Sequence, residues 1–216
     1  MGMRRMDMVS IGVIGLTSAL TAAVYDRLPE RVATHFDLAG NANGWMPRAM
    51  GAWFVPAFAL GLWAFVRFMP RVLPKTDQKR LGDSSAPLVA ALTVLFLAAL
   101  HVLILYVAIV PGASLARAIW VVLGAFYVAL GLVIPRIKRN PVMGVRTPWT
   151  LTSDENWART QRVGGYSMVL GGAIAALFGV LGGTAGGVVA LASIFVSALV
   201  PVGYSLLLAR RQDQGS

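Results

Sequence analysis

Cysteine is absent from the 216 residues, histidine occurs only at His35 and His101, and Asp plus Glu number nine. Without cysteine there are no disulfides, thiolate nucleophiles or thiolate metal ligands. Acidic residues are scarce inside the long apolar runs, which weighs against a proton-coupled pump. No H-E-x-x-H, G-x-S-x-G or phosphate-cradling glycine loop occurs, so the residues propose no catalytic group, cofactor or metal. Charge itself is thin, at 13% of residues, where a soluble domain carries roughly 25%.

Apolar length is what the chain has instead. Val163 to Ala209 contains no Asp, Glu, Lys or Arg over 47 residues, enough for two spans of about 20 residues each. Gly182 to Gly187 reads as the turn between them. Further runs are Met8–Tyr25, Ala49–Val66, Pro87 to about Val110, and Ala118–Pro135. The first exceeds the roughly 7–15 residues of a signal-peptide core and reads as a retained helix. The expectation is an all-α membrane protein: a six-helix bundle with an ordered outer loop and an inner interfacial helix. It divides into a helix pair over 8–70, with outer loop 26–48, and a four-helix region over 87–209, with inner segment 136–163.

Six spans place both termini on one side. With that side cytoplasmic, 15 of the 19 Lys and Arg lie inside, and only Arg27, Arg31, Arg48 and Arg117 lie outside, as the positive-inside rule requires. The inside set includes Lys79 and Arg80 of the 67–86 segment. The expected location is the plasma (inner) membrane. The net charge of +10 reads as this bias plus attraction to anionic lipid, and direct nucleic-acid binding is not expected. Tyr25, Trp45, Trp53, Tyr106 and Trp120 fall near the outer interface, and Trp63, Trp149, Trp157, Tyr166 and Tyr204 near the inner one. Most read as interfacial belt residues; Trp45, Trp149 and Trp157 are set apart, because they sit inside dense polar segments. Ser167, Gly171, Ala175, Gly179 and Gly183 form a ridge of small residues at four-residue spacing. Internal packing is its first use, and a homo-oligomer face the alternative.

The outer segment carries turn signals at Gly40-Asn41 and Asn43-Gly44, with Leu28, Val32, Phe36 and Leu38 as apolar anchors. His35 and Asp37, two apart, would share a face of an extended segment. Such a pair can anchor a cationic ligand, hold a proton or contribute to a metal site, but two ligands are too few for a metal on their own. His35, Asp37, Gly40, Asn43 and Trp45 are the candidate outer ligand-binding residues. His101, near the middle of the third span, is the intramembrane polar candidate.

The inner segment reads Asn140-Pro-Val-Met-Gly144-Val-Arg146-Thr147-Pro148-Trp149-Thr150-Leu151, then Trp157, Thr160 and Gly164-Gly165. Thr152 and Glu155 have capping-box spacing, so a helix is expected to start there. Gly164-Gly165 would permit a bend at the membrane surface. Arg146 is expected to bond backbone carbonyls or the C-terminal end of a helix.

This motif resembles the C-terminal signature of the SdpI-like immunity proteins. The segment from Leu28-Pro29 to Trp45 is similar to a domain of unknown function that often precedes that signature. Where family members often carry His, this chain has Gln161. The resemblance implies a six-helix bacterial membrane protein that resists a secreted antimicrobial peptide. In one branch it also implies sequestration of a cytoplasmic repressor. The residues it marks for an inner fold or partner contact are Asn140, Gly144, Arg146, Thr147, Pro148, Trp149, Thr150 and Trp157. A membrane enzyme or transporter acting on a lipid or peptide is the alternative, and a structural or scaffold subunit the third reading.

Overall fold

A computed structural model describes residues 2–72, 74–75 and 85–213. Six helices in it are long and apolar enough to cross a membrane. Lys79 and Arg80, and most of the connection expected inside, lie outside the described residues. The spans are α1 (Gly2–Val24), α2 (Arg48–Phe68), α3 (Ala86–Ile109), α4 (Ala116–Val133), α6 (Asp154–Leu181) and α7 (Gly183–Asp213), with a short α5 (Pro148–Thr152) before α6.

The ends of these helices follow from local chemistry. Leu28 and Pro29 stop the turn after α1. Pro87 lies in the first turn of α3, where a missing N–H costs nothing. Gly112, at φ +76°, turns the chain after α3, and Pro135 ends α4. Between α6 and α7 the expected six-residue turn shrinks to Gly182 and Gly183, both at positive φ. That conformation suits glycine, and α7 begins at once. Gly183 therefore caps the connection and is not the last member of a helical ridge.

The outer segment is not a loop but an antiparallel hairpin, β1 (Arg31–Phe36) with β2 (Ala42–Pro47). Its inner face, Val32 opposite Met46, packs down while Asn43, Trp45 and Pro47 alternate outward. This departs from a purely α expectation. The reason is local: β-branched and aromatic residues flank a Gly-Asn turn.

Packing gathers the helices into two groups of three. In the first, Ile14, Ala59 and Val94 join α1, α2 and α3. Asp7 ties α1 to α2 at one end, accepting from the Trp63 indole at 3.1 Å and meeting Arg67 at 3.3 Å. In the second, α6 lies between α4 and α7. Gly165 and Gly172 face Gly131 and Gly124 of α4 so closely that a Cβ at Gly172 would lie 2.6 Å from the Gly124 carbonyl oxygen. Ser167 and Gly171 face α7, with Ser167 donating to the Ser197 carbonyl at 2.8 Å and Ser193 to that of Gly171 at 3.0 Å. The small-residue ridge thus serves internal packing on both sides of α6, Gly171 against α7 and Gly179 against α4, where it receives Trp120. Phe96 and Phe126 stack across α3 and α4 with centroids 4.3 Å apart.

The hairpin spans both groups. At its base, Leu28 and Val32 are buried with Ala52 and Leu105 of the first. Its tip reaches the second: Gly40, at φ +82°, lies on Ala116 at the start of α4, and the Leu38 carbonyl lies against Gly187 of α7.

Candidate functional site

Three arrangements of polar side chains stand out: the hairpin's outward face, a knot at the opposite end, and a buried pair in the first group.

On the hairpin, Ala33 pairs with Trp45 and His35 with Gly44, with register shifts on either side of His35. Because Gly44 has no side chain, His35 lies across it; a Cβ there would sit 3.2 Å from the imidazole Nδ1. Trp45 is 49% exposed beside it. His35 Nδ1 is also 3.2 Å from the Thr34 hydroxyl. The imidazole thus lies over Gly44, while the exposed indole stands on the next residue of β2 and points to the other face of the ribbon.

Asp37 does not share a strand face with His35, because it lies beyond the end of β1. Its carboxylate accepts from the backbone N–H groups of Ala39 and Asn41, each at 2.9 Å, and from the Asn41 amide at 3.1 Å. The Asn41 backbone and side-chain donors, chief among its contacts, hold its pKa below the ordinary carboxylate value. Asp37 therefore builds the turn. Gly40 supplies that turn's positive φ and its seat on Ala116, and Asn43 is exposed.

At the other end, residues 137–161 fold into a hydrogen-bonded knot. The Asn140 side chain accepts from Val142 and Met143 N–H and donates to the Lys138 carbonyl, all at 2.8 Å. Gly144, at φ +98°, lets the chain pass Trp157 and Gln161. Gln161 accepts the Val145 N–H at 2.9 Å and donates to its carbonyl at 3.0 Å. The Trp157 indole donates to the Ile137 carbonyl at 2.8 Å. Arg146 donates to the Pro141 carbonyl, the backbone partner expected of it.

The capping expectation needs correction. Thr147 and Thr150 form the capping box, around α5, with Pro148 in its first turn. Ser153 caps α6 by accepting the Asn156 N–H, and Thr152 bonds back within α5. Thr152 sits one position too early to cap the longer helix. No interfacial helix separated by a bend at Gly164-Gly165 precedes the fifth span. Asp154–Leu181 is one continuous helix, and α5 is the short separate element. Trp149 is half-buried on α5, and its carbonyl accepts the Ser153 N–H at 3.2 Å.

The knot is fastened to α7. Thr147 donates to the Ser205 hydroxyl at 3.2 Å, Asn156 to the Ser205 carbonyl at 3.0 Å, and Thr160 to Asn156 at 3.0 Å. Asn156, Thr160, Gln161 and Ser205 are all 0% exposed. The sequence reading did not single out Asn156 or Ser205. The available signal was the four-residue spacing of Asn156 and Thr160 beside Gln161, at the start of an otherwise apolar helix.

In the first helix group, His101 is 0% exposed, with Nε2 2.8 Å from the Thr21 hydroxyl. Thr21 also escaped the sequence reading, although Ser10, Thr17 and Thr21 mark one face of α1. Among the described residues, no three His, Cys, Asp or Glu side chains come together as a metal site.

Comparison with known proteins adds two regions. Residues 136–205 match the SdpI/YfhL protein family. Residues 12–60 match a domain of unknown function, DUF1648. The first covers the knot and its α7 anchor, and the second covers the hairpin with its flanking helices. No curated protein and no solved structure matches the chain.

Proposed function

We propose that this multi-pass membrane protein, whose residues 136–205 match the SdpI/YfhL family and whose residues 12–60 match DUF1648, gives resistance to a secreted antimicrobial peptide. The hairpin faces outward and the knot faces the cytoplasm with both termini. The observation that carries this reading is the half-exposed indole of Trp45 on the hairpin, one residue along β2 from the Gly44 over which His35 lies. Exposed aromatic side chains are frequent anchors of peptide interfaces, and a killing peptide arrives from the hairpin's side. No covalent chemistry is required. The knot is the cytoplasmic surface on which a repressor would dock, and the basic residues around it meet anionic lipid.

The test is survival of sensitive bacteria, with and without the protein, against a panel of purified membrane-active peptides. Protection by the wild type, lost in His35→Ala/Trp45→Ala at equal membrane abundance, is expected. Equal killing of expressing and empty cells across the panel would overturn the resistance reading. Full protection by the double variant would move the peptide site off the hairpin.

A further inference from the structure

The two groups of three helices meet where α3 runs beside α4, and the meeting is incomplete. A cleft of about 250 Å³ lies between the two helices. Leu92, Leu95, Phe96 and Ala99 border it on α3, at the spacing of one helical face. The four bordering residues of α4 repeat that spacing from Val122 to Ala129. Phe96 and Phe126 stack within this lining with centroids 4.3 Å apart, while the short side chains of Ala99, Ala125 and Ala129 leave room beside them. Leu95 and Ala125 are exposed, so the cleft opens at the side of the bundle.

Depth and lining decide what can fill it. The cleft lies in the apolar middle of both spans and nearer their knot ends. Leu92 is six residues from the start of α3, and Ala129 four from the end of α4. At that depth the surrounding medium is hydrocarbon. Among the described residues, none that borders the cleft is polar, and a buried water needs about 2–4 polar partners. Apolar cavities of roughly 150 Å³ stay dry and accept apolar guests. Left empty, the cleft would forfeit dispersion contacts along its length.

The knot end adds a charge. Arg136 follows Val122 and Ala129 at intervals of seven residues, which keeps it on the cleft's side of the helix, about two turns beyond. Two turns are about 10 Å, and Arg136 is exposed. An arginine at the end of a span lays its stem along apolar surface and keeps its head at the polar boundary. Its guanidinium suits a phosphate bidentately. An apolar cleft and a cation thus stand in line, in the order of a phospholipid's acyl chain and phosphate.

We propose that the cleft holds one acyl chain of a phospholipid from the leaflet on the knot's side, with the lipid's phosphate on Arg136. The chain completes a contact that the two helix groups leave open. The site is independent of any peptide bound at the hairpin, and of which side of the membrane the knot faces.

The probes are phosphatidylglycerol and phosphatidylcholine carrying a diazirine midway along one acyl chain, each as a minor component of phosphatidylcholine vesicles that hold the protein. Illumination followed by peptide mass spectrometry should place adducts chiefly on 92–99 and 122–129. The phosphatidylglycerol probe should react about five-fold more than the phosphatidylcholine probe, the factor that one basic residue near the surface contributes. Ala99→Leu and Ala125→Phe, which fill the cleft from its two walls, should each lower these adducts several-fold at equal membrane abundance. Arg136→Gln should keep the adducts in place and bring the ratio of the two probes toward one. Adducts spread evenly over the six spans would mean surrounding lipid only and overturn the proposal, as would unchanged adducts in both filled variants. Ala99→Cys, in a chain with no other cysteine, tests for a second copy. Disulfide dimers through it in the same vesicles would assign the cleft to protein and overturn the lipid assignment.

Discussion

The side-chain amide of Gln161 pairs with the backbone of Val145 as a neighbouring strand would, accepting its N–H at 2.9 Å and donating to its carbonyl at 3.0 Å. One helical side chain thus satisfies both polar groups of a residue in an irregular segment. Gly144, just before it, is pressed against the same amide, since a Cβ there would lie 2.8 Å from Gln161 Oε1.

Replacing Gln161 by Leu is therefore expected to leave two backbone groups unmet, at about 1–3 kcal/mol for each. Gly144→Ala combines an unfavourable φ with a steric clash, and a similar loss of about 1–3 kcal/mol is expected. Arg146→Ala, which removes an exposed bond to Pro141, should cost about 1 kcal/mol or less. Thermal unfolding in detergent should rank Gln161→Leu and Gly144→Ala well below Arg146→Ala. An Arg146→Ala protein that is stable and abundant but inactive would mark that residue as a partner contact.

Topology is tested by single cysteines, which the natural chain lacks. Asn43→Cys on the hairpin and Thr152→Cys at the end of α5 are both exposed. A membrane-impermeant maleimide applied to intact cells should label position 43 and spare position 152. The reverse pattern would invert the proposed orientation.

Trp45→Ala is expected to weaken peptide binding by about 2 kcal/mol, roughly 30-fold, without lowering abundance in the membrane. His35→Ala should cost less, because the imidazole lies along Gly44 and offers the peptide one edge. Titration of labelled peptide against purified variants measures both.

Acid should loosen the hairpin turn. The folded pKa of Asp37 lies below its ordinary value, so its contribution is complete above the ordinary carboxylate range and is lost as pH falls through the lowered folded value. Amide exchange at Ala39 and Asn41, corrected for intrinsic rates, should show protection falling in that acidic window. Asp37→Asn should remove the transition.

The spans were legible because about 20 uncharged residues have few other uses, and the motif was legible because turn and cap residues cluster in it. The hairpin was missed because bulges around His35 break the alternation that marks a strand. One aromatic position misled for another reason. Trp120 reads as a belt residue by depth, yet Gly179 opens space for it inside the bundle. The capping box was placed at Thr152 because its spacing to Glu155 fits the pattern. Ser153, whose hydroxyl does the work, has no acidic partner at that spacing.

The seat of the hairpin tip has a consequence for how the protein is made. Leu38 leaves the ribosome early, whereas Gly187, on which its carbonyl rests, belongs to α7 and is synthesised after the other five spans. The nascent hairpin can bury Val32 against α2 and α3 while its tip still waits for a floor. Docking of the tip is then the event that reports the arrival of α7, and a chain truncated before α7 should reach the membrane with its tip open to proteases.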